Sequence, residues 1–139
     1  MQGRRFHDLA AEILRGASEV HWRGAVGRAI YALMLESREA LFRWGFKLPP
    51  RDNVHSFVRL RFTYAADADL KAVGKVLDKT GRVRNAADYD LSALPSFTNE
   101  ITAKNVIREV GVAVALLDAI DADPARRASA IVAIQKTFP

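Results

Sequence analysis

The sequence of 139 residues contains no cysteine, which excludes disulfide bonds, thiolate zinc sites and a cysteine nucleophile. Its longest apolar run, Val110 to Leu117, is far shorter than the roughly 18 residues that a membrane span needs. Residues 1–8 carry charge with no apolar run after them, so we expect no secretory signal. Together these absences predict a soluble cytoplasmic protein that is not associated with a membrane.

Strand patterns and common catalytic motifs are also missing. No stretch alternates apolar and polar residues for long, and there is no Asn-Gly or Asp-Gly hairpin signal. No Gly-rich phosphate loop and no His-Glu-x-x-His motif occurs. The three histidines, His7, His21 and His55, lie far apart without the spacing of metal ligands. We therefore expect neither a metal site nor a cofactor.

Charge is present but unevenly distributed. Residues 1–84 hold 16 Lys/Arg and 9 Asp/Glu, a net charge of +7, whereas residues 85–139 hold 5 and 7, a net charge of −2. A basic half of this kind either binds a polyanion such as RNA or merely solvates a small protein.

Helical spacing of apolar residues covers almost the whole chain and predicts a single domain over residues 1–139. We expect an all-α, up-and-down bundle of five to six helices, with helices one, two and five as its core and helix four packed against them. The first helix is predicted from Phe6 to Val20. The second, from Trp22 to Trp44, carries two apolar faces, which is typical of a central helix or of one that also contacts a second subunit.

The remaining helices are bounded by turn and cap residues. A short helix is predicted from Asn53 to Phe62, and the next helix starts at Asp67 or Asp69 and stops at Gly81. A polar segment, residues 82–96, should then connect to a fifth helix capped by Ser96 or Thr98. Asp123 followed by Pro124 predicts the start of a last helix.

The segment from Arg82 to Leu91 is the strongest candidate site, because polar side chains cluster there between apolar helices. Arg84 suits bidentate recognition of phosphate or carboxylate. Asp88, four residues later, could orient that arginine or act as a base if its pKa were raised. The alternative is a structural Arg84–Asp88 pair, with Tyr89 as a hydrophobic anchor.

Two further pairs lie on single helix faces. Arg28 and Tyr31 could line a cleft, or the arginine could stack on an aromatic ring beside a half-buried tyrosine. His55 and Arg59 could reach a phosphate, or His55 could be a local structural residue at a helix start.

Three short motifs together resemble the HEPN superfamily. The Arg-Ala-Ile-Tyr-Ala of residues 28–32 resembles its Arg-Ala-Tyr-Tyr-Ala signature in a long second helix. The Val-His-Ser-Phe of residues 54–57 resembles the His-Ser segment of one HEPN branch, and residues 84–89 resemble that branch's Arg-x-x-x-Asp-Tyr signature. The order and spacing of the motifs carry the resemblance, which extends over about residues 6–121.

The resemblance implies a helical bundle, commonly a homodimer, with a groove near the arginine motif. It implies binding of RNA or a nucleotide in a toxin–antitoxin-like or defence context, with a nucleotidyltransferase-type antitoxin as partner. In this interpretation Arg28, Tyr31, His55, Arg59 and Arg82 would contact the ligand.

The resemblance also implies an alternative, a metal-independent ribonuclease in which Arg84, Asp88 and Tyr89 are the catalytic candidates. The family's nucleases have four to six residues between the arginine and a histidine, and after Arg84 that spacing leads to Tyr89, Asp90 or Leu91. Proton transfer would then fall to Asp88 or to His55. A third alternative is a non-catalytic protein-interaction module.

Overall fold

The computed structural model describes residues 1–139 and contains six α-helices, two short 3₁₀ helices and no β-strand. The predicted all-α helical bundle is therefore confirmed. The α-helices are α1 (Arg5–Ile13), α2 (Glu19–Arg43), α3 (Val54–Tyr64), α4 (Ala68–Tyr89), α5 (Ile101–Ala122) and α6 (Pro124–Thr137), and the 3₁₀ helices are Arg51–Asn53 and Pro95–Phe97. No helix is both long enough and apolar enough to cross a membrane.

α2 is the central helix, which is one of the two roles that its sequence predicts. It contacts α1, α3, α4 and α5, and α4 and α5 also pack against each other. These neighbours bury more than half of the helix surface, while the face that carries Arg28, Tyr31 and Phe42 is exposed. Gly45 ends this helix with a φ of 90°, a left-handed conformation in which glycine avoids the strain that a side chain brings.

The first helix is shorter than predicted, ending at Ile13 instead of Val20. A side chain at Gly16 would collide with the imidazole ring of His21, so the chain turns there at a residue without a Cβ. Ser18 is extended, and α2 begins directly after it at Glu19, three residues before the predicted start.

The prediction that a helix stops at Gly81 is wrong. α4 continues to Tyr89, so the candidate segment forms the last two turns of a helix and not a connecting loop. A glycine inside a helix costs only about 1 kcal/mol relative to alanine. Beyond it, Val83, Ala86 and Ala87 pack against the core, and this burial outweighs that cost.

Helix caps were predicted with mixed success. Asp67 caps α4 by accepting hydrogen bonds from the backbone N–H groups of residues 69 and 70, and Asp123 caps α6 in the same way. Ser96 and Thr98 do not cap α5. Ser96 lies in the 3₁₀ helix, and Asn99 Oδ1 accepts the hydrogen bond of the Ile101 N–H at 2.9 Å.

α3 and α4 approach each other with their backbones in contact. A Cβ on Gly74 of α4 would lie 2.6 Å from the backbone nitrogen of Thr63 in α3, closer than a real Cβ ever comes. Glycine is thus required at this crossing. The close approach fixes the spacing of the two helices that form two walls of the groove described below.

α6 is attached to the start of α4 by Arg126. Its guanidinium group lies 2.8 Å from Asp67 and 3.0 Å from Asp69. Burial alone would raise the pKa of Asp67, but the hydrogen bonds from Arg126 and from two backbone N–H groups outweigh it and hold the pKa below 3.8. Asp67 therefore both caps one helix and anchors another.

Candidate functional site

A groove of about 300 Å³ lies between α2, α3 and α4. This volume is at the lower end of the range for small-molecule sites. Four of its lining residues are apolar or aromatic and lie on α2 and α4, while the others are polar, charged or glycine. The lining comprises Ile30, Tyr31, Met34, His55, Ser56, Arg59, Leu77, Asp78, Gly81, Arg82, Arg84 and Asn85.

Three arginines but only one carboxylate line this groove, so its lining is net positive. Asp78 lies 2.9 Å from Arg82 and 3.9 Å from Arg59. The Arg82 side chain is 72% exposed, so water competes with its ion pair and leaves it weak. Arg59 donates no hydrogen bond within the protein. Its N–H groups are therefore free for a ligand.

Arg84 is the third arginine of the groove. Its Nε donates to Asp88 Oδ2 at 3.3 Å, which is the structural pair that the sequence offered as an alternative. The terminal Nη groups of Arg84 make no hydrogen bond within the protein. One edge of the guanidinium group is thus held by Asp88 while the other is open to a ligand, as in an arginine that is oriented for anion recognition.

Tyr31 lines the groove and is held by aromatic and cationic contacts. Its ring meets the Phe6 ring edge to face, with centroids 4.9 Å apart, and the Arg28 guanidinium lies 5.3 Å from its centroid. Arg28 also lies 5.7 Å from the Phe6 ring. Arg28 has no carboxylate partner, so its charge is balanced only by these rings and by water.

The predicted site residues are thus only partly brought together. Tyr31, His55, Arg59, Arg82 and Arg84 line one groove. The other three lie outside the groove lining. Arg28 lies over the Tyr31 ring, and Asp88 accepts a hydrogen bond from Arg84. Tyr89 is 74% exposed at the end of α4.

A buried arginine that the sequence did not single out supports this arrangement. Arg23 of α2 donates hydrogen bonds to four backbone carbonyl groups at and beyond the end of α4, those of residues 86, 87, 90 and 92. Its guanidinium also lies 4.7 Å from the Phe97 ring. No local pattern reveals this role, because the carbonyl acceptors belong to residues more than 60 positions away.

Apart from the apolar lining, four residues of the groove were not predicted as site residues, namely Ser56, Asp78, Asn85 and Gly81. The spacing of Asp78 and Arg82, four residues apart on one helix, was a usable signal. A Cβ added to Gly81 would meet no atom within 4 Å, so this glycine leaves open space in the groove wall. Gly81, which predicted the end of a helix, instead lies within α4 and leaves space in the groove.

A second charged depression lies at the other side of α2, and we call it the N-terminal pocket. Arg4 donates to Glu36 Oε1 at 3.0 Å and to Asp118 Oδ1 at 2.7 Å. These hydrogen bonds raise the pKa of Arg4, first through Asp118 and then through Glu36. Its other charged lining residues are Arg38, Glu39, Arg43 and Asp121.

The geometry therefore supplies cationic donors and an aromatic ring around one groove, and no group of three or more His, Asp or Glu side chains is placed to hold a metal ion. Comparison with protein families, curated proteins and solved structures gave no significant match.

Proposed function

We propose that the groove between α2, α3 and α4 binds the phosphate groups of RNA or of a nucleotide, in an HEPN-like protein of a toxin–antitoxin or defence system. The observation that carries the proposal is the set of three arginines facing one groove with a single carboxylate among them. Arginine is suited to phosphate because its planar fork offers several N–H donors at once. Ser56 and Asn85 add neutral hydrogen-bonding groups to the same lining.

Titration of a labelled single-stranded RNA by fluorescence anisotropy, at low and high salt, tests the proposal. Removal of one arginine that binds a phosphate should reduce the slope of log K against log salt by about 0.7. We expect Arg59→Gln and Arg84→Gln to weaken binding and to lower that slope. Arg108→Gln on α5 removes the same charge outside the groove lining and should leave both quantities unchanged. Absence of salt-dependent binding by the wild-type protein would refute the proposal.

A mononucleotide competitor distinguishes the two ligand sources. If a nucleoside monophosphate displaces the RNA at micromolar concentration, the groove is a nucleotide site. If it does not, while longer RNA binds, the contacts extend along a strand.

Filling the groove gives a test that does not change charge. Gly81→Leu adds an apolar side chain where a Cβ meets nothing, and leucine is a better helix former than glycine by about 1 kcal/mol. The variant should be at least as stable as the wild type in urea and yet bind RNA more weakly. Unchanged RNA affinity in a well-folded Gly81→Leu variant would place the ligand elsewhere.

A metal-independent ribonuclease is the second candidate, because His55 and Arg84 line the same groove. His55 would accept the proton of a ribose 2′-OH, whose oxygen attacks the adjacent phosphorus as the bond from phosphorus to the 5′-oxygen breaks. The leaving 5′-oxygen takes a proton from water, while Arg84 stabilises charge on the phosphate. RNA incubated with the protein in the presence of a chelator should then be cleaved, and His55→Gln should abolish cleavage while retaining binding. If the RNA stays intact, the ribonuclease proposal is wrong and only the binding proposal stands.

The partner proposals rest on the resemblance and need their own measurements. Light scattering after size exclusion would give the mass of the proposed homodimer, and copurification with a coexpressed nucleotidyltransferase-type antitoxin would test that partner. If neither RNA nor a nucleotide binds, the third alternative, a protein-interaction module, gains support.

A further inference from the structure

Tyr31 is the one Phe, Tyr or Trp side chain in the lining of the groove, and 39% of its surface is exposed. Its phenol ring packs edge to face with the Phe6 ring, and the Arg28 guanidinium lies over it. A ring supported in this way loses little conformational freedom when a ligand stacks on it, so more of the stacking energy appears as affinity.

The positive charge of Arg28 beside Tyr31 also favours stacking of a ligand on this ring. Arg28 has no carboxylate partner and lies over the ring at 5.3 Å. Arginine guanidinium planes and tyrosine rings are the side chains on which unpaired bases stack. The three arginines that suit phosphate line the same groove as this ring.

We infer that Tyr31, with Arg28 beside it, is a stacking platform for an unpaired base whose phosphate lies among the groove arginines. This inference rests on the proposed function and narrows its ligand to one with an unpaired base, a free nucleotide or single-stranded nucleic acid. Bases in a duplex are stacked on one another and cannot lie on a side chain.

The inference is tested with a single-stranded RNA of about eight nucleotides, the length range of one binding site for such strands. Tyr31→Leu removes the aromatic face and should weaken binding by about five- to a hundredfold, the range for loss of one stacked base. Tyr31→Phe keeps the ring and should bind within about twofold of the wild type. Tyr64→Leu removes an exposed tyrosine outside the groove lining and should change nothing.

Two other probes separate base from phosphate. An oligomer of the same length without bases should bind the wild type as weakly as normal RNA binds Tyr31→Leu, with the same salt dependence. The same RNA annealed into a duplex should bind more weakly than the single strand.

The outcomes distinguish this inference from the function on which it rests. If Tyr31→Leu or the base-free oligomer binds as tightly as wild type with RNA, and binding still depends on salt and on Arg84, stacking is wrong while phosphate binding stands. Equal affinity for duplex and single strand overturns the platform as well. If salt-dependent binding is absent altogether, the proposed function itself fails. Urea unfolding of Tyr31→Leu confirms that any decrease in affinity does not come from unfolding.

Discussion

The groove and the N-terminal pocket differ in how their arginines are neutralised, although both contain three of them. The groove has one carboxylate, Asp78, for its three arginines. The N-terminal pocket has four, including Glu36, which is only 6% exposed and accepts several hydrogen bonds from Arg4. A count of arginines therefore does not locate an anion site. Arginines whose N–H groups are already used by carboxylates hold the fold together, and those with free N–H groups are available to a ligand.

The largest effect should come from breaking the N-terminal pocket. Glu36→Ala removes a buried carboxylate and leaves Arg4 without its buried partner, which we expect to cost about 3 kcal/mol of unfolding free energy. That value is the lower end for a buried pair, because the Arg4 side chain is 37% exposed and water screens it. Urea denaturation measures this decrease in stability.

Asp118→Ala is the matched control, since it removes the other carboxylate of Arg4 at a 48% exposed position. It should cost less than about 1 kcal/mol. RNA affinity should be unchanged in both variants when they are folded. Loss of RNA binding in either variant would mean that the pocket is not purely structural.

Arg126 extends the comparison, because it also has two carboxylate partners. Asp67→Ala removes the cap of α4 and one of these partners and should cost about 2 kcal/mol at pH 7. Asp67 has a lowered pKa in the folded state, so its stabilisation is present above pH 3.8 and is lost as the pH falls through the folded value. The difference between wild type and variant in chemical denaturation should thus shrink in acid.

Asp123→Ala serves as the control for this effect. Asp123 caps α6 but has no arginine partner, so its removal should cost only about 1 kcal/mol. Equal decreases in stability for the two variants would show that Arg126 adds nothing beyond the cap.

The smallest effect should be a change in RNA affinity when the carboxylate of the groove is removed. Asp78→Asn removes the one carboxylate of the lining and frees Arg59 and Arg82. Two charges about 4 Å apart in water interact by about 1 kcal/mol, so RNA should bind about fivefold more tightly at low salt. The gain should disappear at high salt. Weaker binding would indicate that Asp78 orients the arginines and does not merely compete with the ligand.

The helices were predictable because their apolar spacing and caps are local. Asp67 and Asp123 precede helices with the expected backbone hydrogen bonds, and Leu70, Leu77 and Thr80 face inward as their spacing requires. The end of α4 was not predictable in this way. Gly81 is a local signal to stop, and the contacts that override it come from other helices.

The site was predictable as a set of residues but not as a geometry. His55 and Arg59 are one turn apart on a helix, so their shared face follows from spacing alone. This face lies beside Tyr31 and Arg84 because of the way three helices pack, and residue spacing within one helix does not predict that packing. Asp88 shows the limit: its position four residues after Arg84 indicated the pair, but not that Asp88 would lie outside the groove lining.

Arg23 has a consequence for the order in which the molecule folds. The carbonyl groups at and just beyond the end of α4 accept hydrogen bonds from Arg23 of α2, which lies 63 to 69 residues earlier in the chain. Such distant contacts form only after a long loop has closed, so these turns should become ordered late. In native-state hydrogen exchange, amides near the end of α4 should open with the separation of α2 from α4, and Arg23→Ala should let them open on their own. Arg82 and Arg84, near the end of α4, would then take up their positions in the groove only when the native structure is nearly complete.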